Sequence, residues 1–118
     1  MKKAAIYVKH KYNSWASPKI KIDNCKEFAE SKQLEVVDVY YDWVKNNKQK
    51  KYALEQLFKD CKKHKFDYVI ILSVENVSRK CWEFRRYYEK LQSYGVKFIT
   101  VNGSVIAFEY LNKLGWLI

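Results

Sequence analysis

Glycine is scarce in this chain: Gly95, Gly103 and Gly115 are the only three among 118 residues. None precedes a helix in a GxGxxG or GxxxxGKS/T arrangement, which excludes the common dinucleotide and P-loop phosphate cradles. Histidine is scarcer still. His10 and His64 fall on different predicted elements at opposite ends of the expected sheet, too far apart to share a metal. The three cysteines, Cys25, Cys61 and Cys81, are widely spaced with no CxxC pair. That excludes a disulfide framework and a zinc finger and leaves reduced core thiols as the expectation. No apolar run reaches the roughly 18–20 residues a membrane span requires. The amino terminus, "MKKAAIYVKHKY", regains charge after six residues, too soon for a signal-peptide core. A cytoplasmic protein with no membrane partner is expected.

Acidic residues are also few, 13 against 23 lysines and arginines, for a formal charge of +10 and a pI near 9.5. Such an excess suits an acidic partner, most often nucleic acid, because each neutralised phosphate releases condensed counterions. A lysine-rich solvated surface gives the same composition. Placement along the fold has to separate the two.

The chain carries no repeat, long linker or low-complexity block, and its length suits one domain over 1–118. "AAIYVK" (4–9) predicts a buried strand. "SPKIKIDNCKEFAESK" (17–32) predicts a helix, with Ser17 as cap and Pro18 at the first position. "LEVVDVYYD" (34–42) is a β-branched and aromatic strand, and "WVKNNKQKK" after it reads as a basic loop. In "YALEQLFKDCKKH" (52–64), Leu54, Leu57, Phe58 and Cys61 recur at helical spacing. "FDYVIILSV" (66–74) is the expected central strand. Cys81, Phe84, Tyr88 and Leu91 line a third helix ending before Gly95. A fourth strand covers 96–102, and "SVIAFEYLNKLGWLI" is an apolar terminal piece that begins as a helix.

Alternation of this kind predicts an α/β fold: a mainly parallel sheet of about four to five strands with helices on both faces. In such sheets ligands bind beyond the carboxyl ends of the strands. That rule selects 9–17, 42–51, 73–80 and 102–104, which hold Lys9, His10, Lys11, Lys45, Lys48, Lys50, Lys51, Arg79 and Lys80. Only Asp42 and Glu75 oppose them. These two acids can approach at the strand ends as a Mg²⁺ pair, but the surrounding lysines compete for them, so neither a metal nor a cofactor is expected.

The segments "AAIYVKHK", "CKEFAESKQLEVVDVYYD", "KKYALEQLFKDC", "FDYVIILSVENVSRKCWEF" and "YGVKFITVN" resemble, in order across residues 3–102, the catalytic domain of serine recombinases of the resolvase/invertase group. The resemblance implies a resolvase-like fold. In that family a serine at the end of the first strand, in the pattern Y-x-R-x-S, attacks a DNA phosphodiester, and arginines from three regions neutralise the phosphate. Tyr7 matches the tyrosine here, whereas Lys9 stands at the arginine position and Lys11 at the nucleophile position. The arginine of the second helix falls on Lys51. In the loop after the third strand, Glu75 replaces an aspartate, Asn76 replaces an arginine, and Arg79 keeps its identity. Lysine keeps charge but lacks the planar fork that grips two phosphate oxygens. Ser14 is the remaining candidate hydroxyl. It lies three residues past the nucleophile position and has no obvious base.

The expectation is therefore a non-catalytic serine-recombinase-like domain tied to DNA recombination or mobile elements. It would bind DNA with low sequence specificity through Lys9, Lys11, Lys51, Arg79 and Lys80. Family members usually continue into a dimerising helix and a separate DNA-binding domain, and no such domain is expected within 1–118. Two alternatives stay open. One is an accessory factor or inhibitor that binds a full-length recombinase or a second copy of itself, through its surfaces or the apolar piece 104–118. The other is an active strand-exchange enzyme with an unrecognised nucleophile.

Overall fold

The computed structural model describes residues 1–11, 17–45, 50–78 and 80–101, and of Cys81 the backbone only. The chain alternates strand and helix: β1 (Lys2–Lys11), α1 (Pro18–Ser31), β2 (Leu34–Val44), α2 (Tyr52–Cys61), β3 (Tyr68–Ile71), a 3₁₀ turn (Val74–Asn76), α3 (Cys81–Ser93) and β4 (Lys97–Thr100). The described strands form one four-stranded, wholly parallel sheet in the order β2-β1-β3-β4. β3 lies inside it between β1 and β4, as its apolar run "YVII" leads one to expect.

Strand alternation sends successive β1 side chains to opposite faces and so creates two cores. Ala4, Ile6 and Val8 pack with Cys25, Phe28 and Ala29 of α1. Ala5 and Tyr7 turn the other way, into a core built by Leu54, Leu57, Phe58 and Cys61 of α2 and Phe84, Tyr88 and Leu91 of α3. Helices thus cover both faces. Burial pushes the Cys25 thiol up to about 11 and the Cys61 thiol up to about 12, which keeps both in the inert thiol form.

Local signals start and stop the helices. The Ser17 hydroxyl accepts from the Ile20 N–H at 3.2 Å, with Pro18 opening α1. Beyond α3, Gly95 takes φ +76°. The Gly95 N–H donates to the Gln92 carbonyl and the Val96 N–H to Leu91, the paired closing bonds of a Schellman turn. With so little glycine in the chain, α1 and α2 end instead on Gln33 and His64 in the left-handed region.

The strands differ in length from expectation. β1 and β2 pair as far as Lys11 opposite Val44, so Trp43 and Val44 belong to the strand and not to the basic loop. The third strand is only four residues long. Phe66 and Val74, read as its ends, are buried outside the ladder, since apolar character reports burial and not pairing. The terminal piece 104–118 lies outside the described residues.

Candidate nucleic-acid interface

Each helix of a parallel α/β unit runs against its strands, so the first turns of α2 and α3 stand at the carboxyl end of the sheet. Two lysines join the pieces there. Lys9, near the end of β1, is 6% exposed and its Nζ donates to the Glu75 carbonyl at 3.1 Å. Lys51, immediately before α2, donates its Nζ to the Val77 carbonyl at 3.1 Å. Residues from three separate segments therefore meet at the 3₁₀ turn after β3. Lys11 is half-buried at the tip of β1. Lys80 stands exposed at the N-cap position of α3 without a side-chain cap bond, and its Nζ lies 5.7 Å from the Trp82 ring centroid. Glu75 is exposed and Asn76 half-buried in the turn itself. Arg79 and Ser14 lie outside the described residues.

Asp42 lies at this end on the edge strand β2. It is buried at the end of β2, and both of its oxygens are engaged. Oδ1 accepts from the Ala53 N–H at 2.9 Å. Oδ2 accepts from the Leu54 N–H at 3.1 Å and the Tyr7 hydroxyl at 2.8 Å. Lys51 stands at the N-cap of α2 and makes no side-chain cap bond, so Asp42 supplies the acceptor that the local sequence lacks. Burial, then the neighbouring Asp42 charge, push the Tyr7 phenol far above its ordinary value and keep it a donor. The carboxylate paired with Glu75 in the metal reading is thus taken up by the fold. Among the described residues no group of three or more His, Cys, Asp or Glu side chains is placed to hold a metal. Sequence reading missed this role because donor and acceptor lie 11 and 12 residues apart. The only available signal was a strong helix whose N-cap residue cannot cap it.

His10 faces the α1 side. It is 4% exposed, its ring meets Trp43 edge-on at 5.4 Å between centroids, and its buried Nδ1 has no hydrogen-bond partner among the described residues. Burial and then the Lys21 charge hold its pKa below the ordinary value of 6.5. A depressed folded pKa means that the unfolded chain takes up the proton first. The stability His10 contributes is therefore present above about pH 6.5 and is lost as pH falls toward the folded value. Denaturant unfolding at about pH 7.5 and about pH 5 should show lower stability in acid. The acid loss should shrink in His10→Phe. An unchanged loss in that variant would assign the effect to other groups.

A family model, the N-terminal domain of resolvase, matches residues 9–113, most of the chain. The chain belongs to the resolvase family. This resolvase domain is thereby a serine-recombinase-type domain linked to DNA recombination. Its fold is that of solved members of the group. It superposes on the N-terminal catalytic domain of TP901-1 integrase with a TM-score of 0.83 at 23% identity, over 97% of this chain and 92% of that one. A resolvase-family site-specific recombinase from Streptococcus pneumoniae gives 0.78 at 20% identity, over 98% and 86%. The catalytic domain of ISC1926 TnpA, an IS607-like serine recombinase, gives 0.75 at 23% identity, over 94% and 75%. No curated protein matches the chain. Among the described residues no helix of the resolvase domain is long and apolar enough to cross a membrane.

Proposed function

We propose that this resolvase domain binds DNA through its basic crest and does not itself cut or rejoin strands. One observation carries the reading: Lys9 and Lys51, at two positions where the family pattern has arginine, converge on carbonyls two residues apart, those of Glu75 and Val77, at the turn after β3. The convergence supports a retained cluster of positive charge at this end of the sheet, while the nucleophile position holds Lys11. An ammonium is a poor nucleophile near neutral pH, since its lone pair carries a proton.

Within the crest the lysines divide the work. Buried Lys9 tethers the turn from beneath. Lys51 uses one of its three N–H donors on Val77 and keeps donor capacity for a phosphate. Lys11, Lys80 and Arg79 complete the grip. Phosphate contacts of this kind read no base, so sequence preference is low. The contacts are made by this one domain, in DNA recombination of the kind mobile elements carry out.

Incubation with supercoiled DNA should yield neither nicked product nor a covalent protein–DNA adduct. Lys11→Glu and Lys51→Glu should each weaken duplex binding on all sequences alike. An adduct that disappears in Ser14→Ala would sink the non-catalytic reading and restore strand exchange. Charge reversals without effect on DNA, together with capture of a full-length recombinase or a second copy of the domain, would turn the proposal to an accessory or inhibitory role.

A further inference from the structure

The crest carries a feature that phosphate binding does not require: large aromatic rings left in the open. Tyr52, the first residue of α2, is 69% exposed, and Trp82, the second residue of α3, is 56% exposed. Both rings are held beside cations. Lys50 Nζ lies 5.1 Å from the Tyr52 centroid. Lys80 Nζ and the Arg86 guanidinium lie 5.7 and 6.0 Å from Trp82.

Packing sets the two residues at similar heights along their helices. α2 and α3 lie on the same face of the sheet and run in the same direction, and they touch through Phe58 and Tyr87, 4.8 Å between ring centroids. At about 1.5 Å of rise per residue, Tyr52 stands roughly 9 Å and Trp82 roughly 7.5 Å from that contact toward the helix starts. Packed helices are about 8–10 Å apart. The bond from Lys51 to the Val77 carbonyl ties the start of α2 to the loop that leads into α3.

We infer that this part of the crest is a stacking platform for single-stranded DNA, with Tyr52 and Trp82 each receiving a base while Lys50, Lys51, Lys80 and Arg86 follow the phosphates. The inference rests on the basic-crest reading and narrows it. In a duplex the base faces are already stacked and unavailable, so open rings add nothing to a grip on paired strands. An unpaired strand presents those faces, and stacking on aromatics beside a positive groove is the general means of holding it. Nearby cations add attraction to both rings and backbone.

The test compares three labelled ligands of equal phosphate count at one salt concentration: a thymidine homopolymer, an abasic strand and a duplex. Tyr52→Ala and Trp82→Ala should each lower affinity for the thymidine strand by roughly 5- to 150-fold, the range expected for one stacked base. Affinity for the abasic strand and the duplex should hold. Tyr52→Phe and Trp82→Phe, which keep a ring, should retain thymidine binding. Unchanged thymidine binding in both alanine variants overturns the platform. So do equal losses on all three ligands. If duplex binding still falls in Lys51→Glu while the alanine variants do nothing, the platform fails and the basic crest stands. If wild type binds none of the three, both readings fail together.

Discussion

Replacing Asp42 with alanine is expected to destabilise the resolvase domain by about 3–5 kcal/mol. The substitution removes the acceptor for three donors at once: the fully buried Tyr7 hydroxyl and the N–H groups of Ala53 and Leu54. The Tyr7 side chain has no exposure to bulk solvent. A donor stranded in that way costs about 1–3 kcal/mol, and the three losses are not additive, because relaxation of the first turn of α2 relieves several together. Against a total stability of roughly 5–15 kcal/mol, this one change takes away a large fraction. Asp42→Asn keeps one acceptor oxygen and should cost about half as much. Tyr7→Phe removes a single donor and should cost about 1 kcal/mol. Denaturant unfolding checks the order. A loss under about 1 kcal/mol for Asp42→Ala would mean that the helix start finds another acceptor. The loss also has a functional side. Lys51 immediately precedes α2, so unravelling the first turn releases the lysine from Val77 and disperses the crest.

Duplex affinity should fall roughly 150-fold between about 50 and about 200 mM salt if Lys11, Lys51, Arg79 and Lys80 each neutralise one phosphate. Four contacts give a logarithmic slope near −3.6, at about −0.9 per phosphate. Lys11→Glu or Lys51→Glu should flatten the slope by about one unit and leave any residual sequence preference alone. Lys9 stands apart in this experiment. Its ammonium is buried against the Glu75 carbonyl, so Lys9→Met should loosen the turn without the same change in slope. Titration by fluorescence anisotropy across the salt range measures these quantities directly. A slope near zero, or one that ignores Lys11 and Lys51, would remove the crest from DNA binding.

The order of elements was legible because it depends on patterns spread over many residues. Runs such as "YVII" and the spacing of Leu54, Leu57, Phe58 and Cys61 report burial, and burial places strands inside the sheet and helices against it. Ends were less legible. Val44 reads as loop beside the lysines that follow, yet it is buried and paired with Lys11, because β1 extends far enough to hold it. The lysine positions came from the family pattern. Their meeting point did not, since the carbonyls of Glu75 and Val77 are backbone atoms with no residue signature. Asp42 was visible only as a charge near a strand end. What it does depends on a helix that begins ten residues later, a relation that exists only once the sheet has formed.

The parallel order of the strands also sets a timetable for synthesis. β1 can pair with β2 once residues up to 44 are available, because Lys2 stands opposite Leu34 and Lys11 opposite Val44. Its other neighbour comes much later: Ala4 pairs with Tyr68. At about 5–20 residues per second, the ribosome takes roughly 1–5 s to go from the end of β2 at Val44 to Tyr68. During that interval β1, α1 and β2 form a nascent unit with one face covered by α1 and the other open, where Ala5, Tyr7 and Tyr40 await α2 and α3. The nascent chain is thus most adhesive between the completion of β2 and the arrival of β3, while its first strand still has one open edge and one bare face.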